Sequence, residues 1–176
     1  MLNLLQTRRS IRSFKKDPVE REKIDAIIHC ALLSPSSRAL RPWEFIVVDE
    51  KSLLQKLSQS KEHGSSFLQH APLGIVVAGD PAKCDVWIED CSIAALIIHL
   101  AAASLGLGSC WIQIRKRHHN KDLSAESYVR QVLGIPEHIS IEAIIAIGYP
   151  QEKKEPHEIP PLPQPKVRYN SFSALY

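Results

Sequence analysis

The chain has 176 residues, of which 44% are hydrophobic and 23% charged, with a formal net charge of +3 at pH 7. That length suits a single domain spanning 1–176 with enough apolar side chains for a real core, which excludes the disordered and fibrous classes. The mild positive balance argues against a dedicated nucleic-acid surface and leaves room only for local anion sites built from clustered arginines.

Leu2, Leu4 and Leu5 predict a short amphipathic helix, and directly behind it come Arg8, Arg9, Ser10 and Arg12, then Phe14, Lys15 and Lys16. Three guanidiniums within five residues have two readings. One is a solvated basic face; the other is an anion site in which arginine's planar fork grips a phosphate and Ser10 adds a donor. Spacing alone does not choose between them. Asp17, Pro18, Val19 and Glu20 read as a helix start, with Asp17 as N-cap and Pro18 at the first helical position. The helix is expected to run to about Leu33 with Ile24, Ile27, Ile28, Ala31 and Leu32 facing inward. A polar, proline-bounded loop follows, from Ser34 and Pro35 through Ser36, Ser37, Arg38, Ala39 and Arg41 to Pro42. Loops of this kind between buried elements are where ligands are commonly met.

A strand is predicted over Glu44 to Val48, then a helix from Lys51 to about Ser60 with Leu53, Leu54 and Leu57 inward. Gln59 to Ser66 reads as a mobile surface connection. Leu73 to Ala78 is a second buried strand, closed by Gly79, Asp80 and Pro81. The stretch from Glu89 to Ile114 is the centre of the chain. From Ile93 to Leu105 nearly every residue is apolar or small, which predicts a core helix buried all round. The run is too short for the ~20 residues of a membrane span and carries His99 and Ser104. Gly106 and Gly108 end it, because glycine enters the left-handed region cheaply. Ser109 to Ile114 then reads as a short buried strand.

Arg115 to Lys121 is a basic run containing His118 and His119. A metal site would need further ligands at suitable spacing, so a solvated loop is the reading and no metal is expected. Ser124 caps a helix to Leu133 that stops at Gly134, and Ile139 to Ile147 is the last strand. From Gln151 the prolines at 156, 160, 161, 163 and 165 predict an extended arm over 151–176. Its Ile159, Leu162, Val167, Tyr169, Phe172 and Leu175 make it apolar enough to wrap its own domain or a partner subunit. Four cysteines at 30, 84, 91 and 110 form no CxxC pair and suggest free thiols in a reducing compartment. With no secretory signal pattern and no segment that anchors in lipid, the expectation is a cytoplasmic protein that meets neither membrane nor nucleic acid. The order of elements predicts an α+β or α/β sheet with covering helices.

Taken together, these residues resemble the FMN-dependent nitroreductase family. The likeness is carried by RRSIR near the start, PSS followed by RPW before the first strand, DCSIAA entering the long helix, GLGSCWI after it, AIGYP at the last strand and KVR in the tail. Each motif alone is weak; six in one order are specific. The resemblance implies an α+β fold with a central mixed sheet of four to five strands, a buried central helix and a C-terminal tail wrapping the partner. It implies a homodimer with FMN at the subunit interface. Arg8, Arg9 and Ser10 match residues that hold the flavin phosphate and ribityl chain, and Arg12 matches the basic residue at the pyrimidine edge. A cation there stabilises the negative charge of the reduced ring and tunes the flavin. Pro35, Ser36, Ser37 and Arg38 lie in the loop that matches one reaching the flavin from the other subunit. Leu107, Gly108 and Ser109 match the turn along the ring, and Lys166 and Arg168 match the basic pair of the tail.

The implied reaction passes a hydride from NAD(P)H through bound flavin to electron-poor acceptors such as nitroaromatics or quinones. No side-chain nucleophile or general base is required of the protein. Ala39 and Arg41 stand where the family often has Asn and Gln, and Leu96 and Ile97 where it often has a polar pair. These departures leave an alternative, a non-catalytic flavin or nucleotide binder of the same fold. A third reading, an oligonucleotide binder using the two basic runs, predicts steeply salt-dependent affinity.

Overall fold

The computed structural model describes residues 1–162 and 164–174, so Pro163 and the tail's Leu175 lie outside the described residues. Strands β1 (Trp43–Val48), β2 (Leu73–Gly79), β3 (Gly108–Gln113) and β4 (Ser140–Gly148) form one sheet in the order β1-β2-β4-β3. All three pairings are antiparallel. The mixed character expected of the sheet is confined, among the described residues, to one parallel bridge between Ser10 and Ser109 beside β3. Helices cover both faces, which is why β2 and β4 read as near-continuous runs of Val, Ile, Leu, Ala and Gly instead of alternating with polar residues.

Side chains leave a strand alternately to its two faces, so each strand feeds two cores. On one face Ile75, Val77, Ile145 and Ile147 pack against helices α2 (Arg21–Leu32) and α4 (Trp87–Ser104). On the other face Val76, Ile112 and Ile144 meet α3 (Lys51–Leu57) and α5 (Ala125–Leu133). Helix α1 (Leu2–Thr7) lies against α4. Helix α5 begins and ends as its sequence dictates. The Ser124 hydroxyl accepts the Ser127 N–H at 3.0 Å, and Gly134 closes it at φ 67°.

Several expectations are corrected. Helix α2 begins at Arg21 with Glu20 as its N-cap, not at Pro18. Val19 is drawn into the core, and the chain stays non-helical from Asp17 to Glu20 to deliver it there. At the other end of α2, Leu32 faces solvent. Residues 59–66 are held in place: Ser60 and Ser65 are fully buried, and the Ser65 hydroxyl donates to Ser58 O at 2.8 Å. Helix α4 is not buried all round. Ala94, Ala95, Ile98 and Ala102 pack inward, while Ile93 and Leu96 are 39% and 48% exposed. By length and composition α4 is apolar enough to cross a membrane, but its inner side is part of the protein core. Gly106 enters the left-handed region at φ 77°, whereas Gly108 does not.

Helix α4 is pinned to β3 through His99. Its Nδ1 is 2.7 Å from the Ser109 hydroxyl, and its ring lies nearly parallel to Trp111. Burial, with a smaller push from Arg8, lowers the His99 pKa to about 4 from an ordinary 6.5.

Two predictions follow from this packing. A β-carbon on Gly148 would lie 2.5 Å from Pro72 Cδ and 3.1 Å from Phe14. The proline ring cannot swing aside, so Gly148→Ala is expected to cost about 1–3 kcal/mol in denaturant unfolding. Between pH 6.5 and 4 the unfolded chain binds more protons at His99 than the folded one, so stability falls as pH drops through that window. The accumulated loss is about 3 kcal/mol. His99→Gln is expected to flatten this part of the pH profile, and identical slopes in the two proteins would contradict it.

Candidate functional site

Residues 10–14 run as a ribbon between β3 and the chain leaving β4. The Ile11 N–H donates to Ser109 O at 3.0 Å, the Lys15 N–H to Tyr149 O at 2.8 Å, and the Gln151 N–H to Ser13 O at 2.9 Å. Glu152 fastens the ribbon further. Its Oε1 accepts the Arg12 N–H at 2.5 Å and the Ser13 N–H at 3.1 Å. These bonds, the Arg12 N–H foremost, hold the carboxyl below its usual range. Lys154 Nζ donates to Ser10 O at 2.6 Å and sits 3.4 Å from Glu152 Oε2.

Beside this ribbon lies a pocket of about 280 Å³. Arg8, Arg9, Leu107, Gly108 and Ser109, five of the residues expected at a site, line it. Ser10 joins them through its backbone bridge to Ser109. The role of Gly108 differs from the expected one. A β-carbon there would meet Ile11 at 2.8 Å, so the missing side chain admits the ribbon against β3. The Ser109 hydroxyl is likewise turned inward to His99, and its carbonyl is taken by the Ile11 N–H.

Thr7, Ala103, Pro150, Glu152, Lys153 and Lys154 complete the lining, and sequence reasoning missed them. The lysines stand in a proline- and charge-rich stretch, which reads as solvated. Their one usable signal was position: the chain leaving β4 has to pass the end of β3, where Gly108 begins. Four cationic groups therefore surround the pocket against the single carboxylate of Glu152, which is already engaged. Arg9 donates to Glu155 O. Among the described residues Arg8, Arg9 and Lys153 have no carboxylate within ion-pair distance. The remaining walls are apolar: Ile11, Leu107 and Ala103. A pocket with an uncompensated basic rim and apolar walls fits a ligand that carries a phosphate at one end and a flat ring at the other.

The other expected residues lie elsewhere on the chain. The Arg12 guanidinium is over the Phe67 ring, 5.9 Å from its centroid, and borders a second cavity. The loop holding Pro35, Ser36, Ser37 and Arg38 is fixed to the start of α4. The Ser37 N–H donates to the buried Asp90 at 2.9 Å, the Arg41 N–H to the Ser36 hydroxyl at 3.0 Å, and Arg38 pairs with Asp85. In it Arg38, Ala39 and Arg41 all have positive φ, at 51°, 54° and 48°. Such conformations cost about 1–3 kcal/mol each and persist where surrounding bonds over-determine them. Thirteen residues separate Asp90 from Ala103 along α4, a span of about 20 Å, so this loop and the pocket are at opposite ends of the helix. In the tail, residues 151–157 dock on the N-terminal segment, the His157 N–H donating to Gln6 O at 2.9 Å. Beyond them Lys166 and Arg168 are exposed, with Arg168 over the Phe172 ring.

Comparison with known proteins converges on these elements. A solved FMN-dependent nitroreductase from Clostridium difficile is 50% identical and superposes with a TM-score of 0.95, covering 98% of this chain and 100% of that one. A candidate NADH dehydrogenase/NAD(P)H nitroreductase from Parabacteroides distasonis is 34% identical, with a TM-score of 0.87 over 97% of each chain. Another, from Archaeoglobus fulgidus, is 37% identical over 161 residues, 89% of both chains. The model of the nitroreductase family matches residues 5–62 and 54–149. That span takes in the arginine ribbon, the loop before β1, the whole of α4 and the Gly108 turn, and the chain belongs to the nitroreductase family.

Proposed function

We propose that this chain works as a homodimer holding FMN in two pockets shared between its subunits, and passes reducing equivalents from NAD(P)H to electron-poor acceptors such as nitroaromatics or quinones. The chain is a flavin-dependent oxidoreductase with FMN and NAD(P)H as its cofactors. The carrying observation is the basic pocket of Arg8, Arg9, Lys153 and Lys154 against Gly108 and Ser109, which suits a phosphate and a planar ring. Bound there, the flavin would supply the redox chemistry.

The protein's part is binding, orientation and electrostatics. Arg8 and Arg9 supply the forked donors for the phosphate, and Lys153 and Lys154 add positive charge at the rim. Ile11 and Leu107 exclude water from the ring. Arg12 is held only at its backbone, and an exposed cation–π contact of about 0.5–1 kcal/mol is a weak restraint on its side chain. In this reading the side chain turns toward the ribbon when flavin binds and acts there as its tuner.

Two observations support a dimer. A volume of about 280 Å³ falls just under the ~300–1,000 Å³ of complete ligand sites. Helix α4 also presents Ile93 and Leu96 to solvent, with Leu32, Leu33 and Leu5 exposed on the helices packed against it. A twofold partner running antiparallel along this stripe would bring the strained loop of Pro35 to Arg38 to the far pocket. In this reading Lys166 and Arg168 reach the phosphate from the arm, residues 151–176, of the single domain 1–176. The free cysteines accord with a cytoplasmic setting.

Purified protein is expected to carry FMN and to lose its oxidised flavin absorbance on anaerobic addition of NADH or NADPH; a flavin that stays oxidised with both donors would contradict the activity. Arg8→Ala is expected to weaken FMN binding by about 10- to 100-fold, the worth of a charge-assisted bond, measured by flavin fluorescence. Leu96→Arg, which places a charge in the stripe, is expected to shift the protein to monomer in sedimentation and to lower FMN occupancy together with it.

A further inference from the structure

The ribbon of residues 10–14 has a second side. There it borders a cavity of about 590 Å³, larger than the pocket assigned to the cofactor. Phe14, Leu54 and Ala71, each 2–4% exposed, form part of its floor. Arg12, Lys16 and Lys51 stand around it, with His70 among them and Asp49 as the one acidic group. None of Arg12, Lys16, Lys51 or Asp49 belongs to an ion pair among the described residues. With Arg12 given to the flavin, Lys16 and Lys51 still outnumber the single carboxylate and leave a net positive field over an apolar floor. The side chains of Ser13, Gln69 and Gln151 add neutral hydrogen-bonding groups at the same walls.

Each feature selects a ligand property. The volume lies within the range of small-molecule sites. Lysines gathered without carboxylate partners attract an anion, and low-dielectric walls concentrate their field. An apolar floor repels a bare inorganic ion and rewards a hydrocarbon body. We propose that this cavity is a second ligand site, distinct from the cofactor pocket, for a small organic anion carrying a carboxylate, sulfonate or phosphate on an aromatic or aliphatic body. The Lys16 and Lys51 ammonium groups hold the acid and the floor of Phe14, Leu54 and Ala71 takes the body. The same chemistry is offered by a free organic acid and by the phosphate-bearing tail of a dinucleotide.

The test uses the flavin-loaded protein and 2-naphthoate, titrated calorimetrically, with 2-naphthamide as the uncharged control. One naphthoate per chain is expected, with the amide binding at least about tenfold more weakly. Lys16→Ala/Lys51→Ala, two exposed positions outside the cofactor pocket, is expected to weaken naphthoate about tenfold, the combined effect of two exposed ion pairs. Its flavin content should be unchanged, since neither lysine lines the cofactor pocket. Competition by NADP⁺ would identify the dinucleotide tail as the natural source of the anion, and its absence a free acid. Absence of binding, equal affinity for acid and amide, or equal affinity in the double variant would overturn the site. Those results are read while flavin stays bound, so they are separable from a failure of the flavin reading itself.

Discussion

The carboxylate of Glu152 on the backbone amides of Arg12 and Ser13 is the contact on which the rest of the site depends. Residues 8–16 carry Arg8, Arg9, Arg12, Lys15 and Lys16 and no acid of their own. Left to itself such a segment would repel its own charges and stay solvated. Charge-assisted bonds to two successive amides, with Lys154 closing on Ser10 O, lay it flat along β3. Once it lies there, Ile11 fills the space above Gly108, and Arg8 and Arg9 are delivered to the mouth of a pocket that the start of β3 would not form alone. The acid therefore spends itself on the backbone and on Lys154, and leaves the Arg8 and Arg9 guanidiniums unneutralised.

Helix α4 supplies the scale of the arrangement. Its inner side is mostly apolar apart from Asp90 at one end and His99, which reaches Ser109 and keeps neutral in the process. The length of the helix separates the pocket near Ala103 from the loop fixed at Asp90. Nothing in one chain can shorten that distance. A loop whose residues sit in costly left-handed conformations, held by Asp90, Ser36 and Asp85, is nevertheless built to one shape. Strain retained at an exposed loop makes sense if something outside the chain reads that shape.

The elements were legible where burial and local chemistry agreed. The Ser124 cap, the Gly134 stop and the four strands were readable from periodicity and turn residues alone. The start of α2 was not, because the Asp17-Pro18 signal is local, whereas the need to bury Val19 is a tertiary demand that overrides it. The composition of α4 gave its identity as the central helix but not its one-sided burial, since periodicity cannot distinguish an apolar face packed on a core from one kept for a partner. At the pocket, the arginines and the glycine turn were visible as motifs. Lys153 and Lys154 were not, because a lysine's role depends on where the preceding strand releases the chain. Gly108 shows the same limit: its presence was noted, but its reason, the Ile11 side chain, is ninety-seven residues away.

The exposed apolar residues allow the two candidate contributors to an interface to be weighed. Fully burying a Leu or Ile side chain is worth about 1.5–3 kcal/mol, so each half-exposed one gains about 1 kcal/mol. Leu5, Leu32, Leu33, Ile93 and Leu96, counted on both chains, then give on the order of 10 kcal/mol, which only matches the 4–15 kcal/mol that association costs. The helical stripe alone is thus a marginal interface. Ile159, Leu162 and Phe172, which stand 54%, 64% and 87% exposed on the arm, hold a comparable reserve. Because the first part of the arm is already fastened by Gln151, Glu152 and His157, the entropy of placing residues 151–157 has been met within one chain. In the proposed dimer the arm would be the element that tips a marginal contact into a lasting one, from the same segment that carries Glu152, Lys153 and Lys154 to the pocket. Assembly and the completion of the site would in this way be tied to one stretch of chain.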